Sequence, residues 1–502
     1  FASGFAALIY QTAWTREFAF VFGTSELAIA TVLAAYMGGL AGGAAVAARF
    51  AHRIKRPVLT YALLELGIAG AALLVPTGIA GARVLYAFLF ASSGAPPAVG
   101  GLGTALFYLA CSFLILLIPT GLMGATLPLL SRHAVKTSEE IGSRIGSLYA
   151  INTAGAVLGT VLTGFVILPA LGLRGTLGVA IACNALVFAT AALLARSSPP
   201  VERFAKKEAQ ARPTGNRRFI LPLILVSGSV SFYYEVLWSR LLGHILGGSL
   251  YSFATMLGTF LAGIAIGAAV AARRAKDAET SARGFAWAQI GTAVLSWGAF
   301  AVLDRIPAWF NAMGDVAGPA LLADAAVAAI ILLPGTVCIG ATFPYAIRIY
   351  ASNLASAPTA SARVYTWNTV GAILGAIGAG FFLIPAVGYS TSLVMAVATN
   401  FGLAAAAATL LSKRSRGIAV PALVGVIALG LLPPSPPWLL LRNMPHLGST
   451  GSDGAITDFR VGRSATVMLR ESRGSWLLST NGLPEALILA PGSHPGTLIV
   501  GQ

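Results

Sequence analysis

The chain has 502 residues, of which 57% are hydrophobic and only 10% charged, and its mean hydropathy is +0.81. A soluble protein of this length needs far more charge to cover its surface, so the composition excludes a soluble globular enzyme and requires a membrane. The net charge of +16 would raise nucleic acid as a partner in a soluble chain, but here it is distributed as a topology signal.

In chain order, six apolar spans are predicted over 3–22, 27–48, 58–80, 103–131, 145–169 and 173–195. A basic linker over 197–218 follows, with Lys206-Lys207 and Pro213. Six further spans are predicted over 219–245, 250–272, 284–303, 320–349, 362–386 and 389–411. Each is long enough to cross a hydrocarbon core of about 30 Å. Of the 33 Lys and Arg, 23 lie in six short segments: Arg49–Arg56, Arg132–Arg144, Arg196–Arg218, Arg273–Arg283, Arg348–Arg363 and Lys413–Arg416. The alternate loops hold only Arg83, Arg174 and Arg305. By the positive-inside rule the basic segments and the N-terminus lie in the cytoplasm of a multi-pass protein of the cell (inner) membrane. Their expected partners are anionic lipid headgroups, not nucleic acid. Phe1 already lies within an apolar helix pattern, with no initiating Met or signal peptide, so a longer chain is expected at both ends.

A thirteenth segment, 417–432, is borderline: 16 apolar residues span roughly 24 Å before Pro433-Pro434-Ser435-Pro436-Pro437. If it crosses, the tail from Arg442 lies outside the cytoplasm, which is the favoured reading; as a surface helix it would leave the tail inside. The tail reads as short strands. Ser464–Leu469 and Ser475–Ser479 flank a Glu471-Ser-Arg-Gly474 turn, Asn481-Gly482 makes another turn, and Thr497–Val500 begins an apolar strand.

The two sets of six spans are copies. Ser3-Gly4, Tyr10, Trp14, Arg16, Gly23 and Ser25 recur 224 residues on as Ser227-Gly228, Tyr234, Trp238, Arg240, Gly247 and Ser249. Later the offset becomes 216, so that Tyr149, Asn152-Thr153, Gly155-Ala156 and Pro169 match Tyr365, Asn368-Thr369, Gly371-Ala372 and Pro385. An even number of spans per copy makes the repeat parallel, which is the arrangement of major facilitator transporters, with any central cavity between the halves. The fold expected is thus an all-α, major facilitator-like 6+6 bundle with one extra segment and a small β-rich tail.

The opening Ser3-Gly-Phe-Ala-Ala-Leu-Ile-Tyr-Gln-Thr-Ala-Trp-Thr-Arg16, its echo Tyr234-Glu235-Val-Leu-Trp238-Ser-Arg240, and Tyr61-Ala-Leu-Leu-Glu-Leu-Gly67 resemble membrane-embedded spermidine synthase-like proteins. The order of parts resembles the fused major facilitator/spermidine synthase family. In the tail, Ala465-Thr-Val, the hairpin and Asn481-Gly482-Leu-Pro-Glu485 resemble the small β-domain that precedes the catalytic domain of spermidine synthases. The resemblance implies amine or polyamine chemistry. The nucleoside-cradling turn, acidic pair and catalytic carboxylate of aminopropyltransferases do not follow Gly501-Gln502 in this chain. Aminopropyl transfer is therefore not expected of this chain, and a nucleoside-type cofactor is expected only with a further C-terminal domain.

Charged groups inside spans are functional candidates. Glu65 and Glu235 qualify, and the repeat exchanges them: Gln11 is the mate of Glu235, and Gln289 the mate of Glu65. One reading is a structural clamp in which the first and third helices of each half pair carboxylate with amide. Another is a cation site in which Glu65 and Glu235 face a central cavity, beside Tyr10 and Tyr234, and bind amines. A third is proton coupling. Arg16 and Arg240 read as snorkelling or fold-serving residues, with Glu17 available to Arg16, and Trp14 and Trp238 as packing or interface anchors. Asn152 and Asn368 head small-residue stripes, Gly155/Gly159 and Gly371/Gly375, and are expected to bond across helix interfaces. Cys111, Cys183 and Cys338 read as small buried hydrophobes, and His244 has no metal-ligand spacing. The functions in view are a carrier or binder of a small cationic solute, a structural subunit among other membrane subunits, or the membrane anchor of a transferase domain.

Overall fold

A computed structural model describes residues 1–22, 26–90, 102–201, 208, 213, 215–247, 249–309, 320–442, 454–463, 465–472 and 474–489. The first half comprises α1 (Ala2–Phe22), α2 (Glu26–Phe50), α3 (Pro57–Phe90), α4 (Leu102–Ala134), α5 (Ile141–Leu162) and α6 (Leu168–Ser197). The second comprises α7 (Ile220–Leu246), α8 (Leu250–Arg274), α9 (Ala278–Ala301), α10 (Ala320–Tyr350), α11 (Ala357–Ile377) and α12 (Ile384–Leu410). Ten continuous helical stretches among the described residues are long and apolar enough to cross a membrane. The chain is a multi-pass membrane protein, and the all-helical bundle with a small β-rich tail holds as its fold class.

The duplication extends to local geometry. A π-helical turn follows α5 (Thr163–Ile167) and another follows α11 (Gly378–Leu383). Gly172 and Gly388 then break the long helical runs at φ of 62° and 73°, left-handed values that glycine adopts without a Cβ penalty. Each break falls between the fifth and sixth expected spans of its half. Several helices run longer than their expected spans: α5 begins at Ile141 rather than 145 and α11 at Ala357 rather than 362. The third helix continues past residue 80 to Phe90, and α9 begins at Ala278 rather than 284 because Asp277 caps it. The Asp277 carboxylate accepts from the backbone N–H of Thr280 and of Glu279 at 2.8 and 2.9 Å, which holds its carboxyl below the usual carboxylate range.

Within each half the same helices meet: α1 on α5, α2 on α4, α3 on α6, and correspondingly α7 on α11, α8 on α10, α9 on α12. Apolar lipid gives two apolar helices little reason to associate, so close backbone approach and dispersion must hold them. Glycine supplies that approach. A Cβ at Gly4, Gly155 or Gly159 would stand 2.0, 2.0 or 2.4 Å from the carbonyl oxygens of Asn152, Phe1 and Phe5. The mates repeat this: a Cβ at Gly228, Gly371 or Gly375 would collide with the carbonyl oxygens of Asn368, Leu225 and Ser229. The halves join along α5 with α8 and α2 with α11. At one seam, Gly142 and Gly146 of α5 press on Ala275, just past the end of α8, and on Ala272 within it, and Gly164 presses on Ala254.

After α12, a 3-10 turn (Lys413–Ile418) and α13 (Ala419–Leu431) carry the chain along α12. The turn starts beside Glu279, at the basic end of α9, where Arg414 pairs with Glu279 at 3.4 Å. The chain emerges at Asp304, beyond the other end of α9, whose carboxylate caps the short α14 (Trp438–Arg442) through Leu439 and Leu440 N–H at 2.9 and 3.2 Å. This segment therefore runs from the basic face of the bundle to the opposite face.

There the tail forms a four-stranded antiparallel sheet, β1 (Ala455–Val461), β2 (Thr466–Ser472), β3 (Ser475–Thr480) and β4 (Leu483–Ile488), in the order β1-β2-β3-β4. The β2–β3 hairpin turns where expected, and Asn481-Gly482, both at positive φ, make the tight β3–β4 turn. The strand expected over Thr497–Val500 lies outside the described residues. Arg240 at the far end of α7 holds the sheet: Nη1 donates to Gly462 O at 3.0 Å, and Nη2 to Arg463 O and Gly380 O at 2.9 and 3.1 Å. Tyr389 and Thr466 hydroxyls share a hydrogen bond of 2.6 Å.

The glycine contacts predict a sharp position dependence. Gly375→Ala must push Ser229 O and its helix aside, at a cost of about 1–3 kcal/mol, and should lower the thermal midpoint of the detergent-purified protein. Gly378→Ala, with nothing within 4 Å of its Cβ, should leave that midpoint nearly unchanged.

Candidate functional site

A cavity of ≈ 240 Å³ lies between the halves, walled by α1–α5 on one side and by α7, α8 and α11 on the other. Its walls are mainly aromatic and apolar, including Tyr36, Tyr61, Phe232, Phe260, Met37 and Met123. Glu235 of α7 is the one charged side chain among its described lining residues, and Gln11 of α1 lines it as well. Both are half-buried, and neither side chain has a hydrogen-bond or ion-pair partner among the described residues. Glu235 also borders a smaller cleft with Trp238, Ser239, Phe253, Met256 and Leu332, so it stands between two spaces. Toward the basic face, Tyr149, Phe343 and Tyr365 pack with ring centroids 4.4 and 6.1 Å apart. Two of these three are repeat mates, so both halves contribute to that floor.

Glu65 does not line the cavity. It is fully buried on α3, and its Oε2 accepts from Asn184 Nδ2 of α6 at 2.5 Å. The side chains of Ser3 and Tyr61 face the same carboxyl group, while Oε1 makes no hydrogen bond of standard geometry. Ser3 and Tyr61 both line the cavity, so Glu65 sits directly behind its wall. The second half repeats the cluster in neutral form. Gln289 Nε2 donates to Ser227 Oγ at 2.7 Å, and Asn400 Nδ2 donates to Gln289 Oε1 at 2.6 Å. Serine, Glu or Gln, and asparagine occupy matched positions in both halves.

These clusters correct the expected pairing of Glu65 with Gln11 and of Glu235 with Gln289. Helices one and three do meet, but at Ser3 and Ser227. Gln11 lies eight residues further along α1, roughly 12 Å at helical rise, and faces the cavity. Tyr10 and Tyr234 are not beside the solute space as expected: both are buried, and Tyr10 stacks on Trp14 at 4.8 Å. Trp14 and Trp238 are buried packing residues, with Trp238 tilted against Phe300 at 6.5 Å. Arg240 ties the tail to the bundle, whereas Arg16 is exposed and has no partner among the described residues, Glu17 included. Asn152 lines the cavity, and no hydrogen bond joins its side chain or that of Asn368 to a described residue. The close contact at these positions is glycine against their backbone carbonyls.

Asn184 and Asn400 escaped the sequence reading. They were readable as 216-offset mates inside an apolar span, each a polar group that must find a partner there. So were Arg132 and Arg348, which clasp the ends of α2 and α8 by donating to Ala51 O at 2.6 Å and Lys276 O at 3.0 Å.

Replacing Gln289 by Leu leaves Asn400 Nδ2 without its acceptor in a dry core, a loss of about 1–3 kcal/mol. It should lower the denaturation midpoint in detergent, whereas Gln11→Leu, at an unbonded cavity position, should lower it little.

No protein-family model and no curated protein sequence matches the chain. Its fold is similar to solved structures of a proton:xylose symporter of the major facilitator superfamily bound to 6-bromo-6-deoxy-D-glucose (TM-score 0.44, 12% identity, covering 86% of this chain and 94% of that one) and of an auto-inhibited POT family peptide transporter (0.36, 13%, 86% and 95%). A third is the human organic anion transporter MFSD10 (0.33, 16%, 85% and 98%). Likeness at this level says nothing of the solute.

Proposed function

We propose that the helical part binds and moves a small organic cation through the cavity between its halves, with Glu235 as the group that holds the positive charge. The observation that carries this reading is a carboxylate placed in a mostly apolar cavity at the repeat interface with no partner among the described residues. A charge held at such a depth is costly unless a counter-ion completes it. The aromatic walls suit the apolar body and the cationic head of an amine, since ring faces attract ammonium groups. The resemblance of the opening segment and the tail to spermidine synthase-like membrane proteins supports amine chemistry. A polyamine would call for two separated carboxylates in one cavity; with Glu65 behind the wall, a monovalent head on an apolar body is favoured. In this reading the basic loops face the cytoplasm of the cell membrane and the β-sheet lies on the other side.

In proteoliposomes loaded against a panel of labelled monoamines, polyamines and neutral sugars, uptake should be selective for monoamines. Glu235→Gln should weaken the apparent affinity for the best amine at least about tenfold, the equivalent of about 1.4 kcal/mol. Equal uptake by the native chain and the Glu235→Gln variant would overturn the assignment.

A further inference from the structure

The two buried clusters are the same construction with one decisive change. In the second half the amide of Gln289 donates to Ser227 and accepts from Asn400, so one neutral group closes the site. In the first half a carboxyl group occupies that place. It accepts from Asn184 as Gln289 accepts from Asn400, but it has an oxygen where Gln289 has its NH₂. A second substitution accompanies the first: Tyr61, one helical turn before Glu65, is Phe285 in the second half. The extra acceptor of Glu65 therefore comes with an extra hydroxyl donor, which the neutral copy lacks.

From this geometry we infer that Glu65 is a proton-binding site, separate from the solute carboxylate and connected to the central cavity through the hydroxyls of Ser3 and Tyr61. With its proton on, Glu65 reproduces the Gln289 pattern: Oε1–H donates to Ser3 Oγ and Oε2 accepts from Asn184. When it gives the proton up, the Ser3 hydroxyl rotates to donate, Tyr61 Oη–H donates as well, and the carboxylate has three donors in place of one. One proton leaves, through the cavity to solvent, and no other bond is made or broken. Both connecting hydroxyls line the cavity, so each protonation state presents a different donor pattern to a bound solute. Among the described residues, the groups that face this cluster are Tyr10 from α1, the Phe1 nitrogen just before it, Tyr61 from α3 and Asn184 from α6, with Cys183 beside Tyr10. None of the side chains is a cation that would fix Glu65 in its ionised form. The second half, with Gln289 and Phe285, has no equivalent.

This inference rests on the cavity being a solute path only for its consequence in transport; the proton site can be tested without a solute. In lipid nanodiscs, infrared difference spectra of the Glu235→Gln variant should contain a protonated-carboxyl stretching band that is lost as pH rises. The band should be absent when Glu65→Gln is added, and Tyr61→Phe should displace the midpoint of its titration. Glu65→Gln installs the side chain that the second half already carries in the same surroundings, so the variant should fold. A carboxyl band that does not titrate, or a titrating band that the Glu65→Gln substitution leaves undiminished, overturns the proposal; Asp324 and Glu17 contribute equally with and without that substitution. With the amine found above, uptake by Glu65→Gln proteoliposomes should lose its response to an imposed pH gradient, and an undiminished response would equally overturn it. If Glu235→Gln moves the amine normally, the solute assignment fails while the infrared result still decides the proton site.

Discussion

Every level of this structure depends on the contact of a glycine with the carbonyl of the helix it crosses. Water drives apolar helices together in soluble proteins, but a bilayer offers no such bias, because lipid tails are as apolar as leucine. What remains is dispersion and fit, and both require backbones to approach until a side chain would be in the way. Gly4, Gly155 and Gly159 bring α1 onto α5, and Gly228, Gly371 and Gly375 do the same for α7 and α11. The contacts leave so little space that the residues at these positions are nearly determined. This is why the parts of the sequence that repeat exactly are mostly packing.

That constraint in turn places the cavity. The two halves are joined at two seams, α5 with α8 and α2 with α11; Gly142, Gly146 and Gly164 make the close approach at the first, and at the second the Thr366 hydroxyl donates to Ala41 O at 3.3 Å. The space between the seams is left to larger aliphatic and aromatic side chains and to the few polar groups on the inner faces of α1, α5 and α7. A residue of α7 at the depth of Glu235 then faces the space by construction, as does its mate Gln11 from the other side. Glu65 and Gln289 lie on α3 and α9, which pack outward onto α6 and α12, and so their side chains are enclosed within their own halves.

Much of this was legible in the sequence, for physical reasons that also mark where legibility stops. Apolar spans, the basic alternation and the two offsets follow from what a bilayer demands of any chain, and they give the helices and the fold class. The Asn481-Gly482 turn was readable because few residues tolerate its backbone. The partner of a buried polar group was not readable from spacing along one helix. The repeat draws attention to Glu65 and Gln11 together, yet the residue that Glu65 bonds is Asn184, a neutral amide 119 residues away. The change of offset from 224 to 216 also hides the cluster, since its three members do not share one register. Similarly, Arg16 and Arg240 look equivalent in sequence, but only the second copy has a tail to hold, and its guanidinium bonds Gly462 and Arg463, more than 220 positions on.

The differences between the copies are more informative than their agreement. A duplicated bundle begins with two identical halves, and a polar position that merely closes a helix pair can stay identical in both, as Ser3 and Ser227 or Asn184 and Asn400 do. At 11/235 and 65/289 the halves have exchanged acid and amide in opposite senses. The result is one carboxylate in the cavity and one behind its wall, on different halves. Had both acids fallen on α1 and α7, they would face each other across one space and repel. Had both fallen on α3 and α9, the cavity would hold no charge at all. The arrangement found separates the two acids into different surroundings, one open to a solute and one closed by hydroxyls and an amide. Two like groups in unlike surroundings can carry charge independently, and a scaffold whose packing is symmetric can in this way be asymmetric where it meets its ligand.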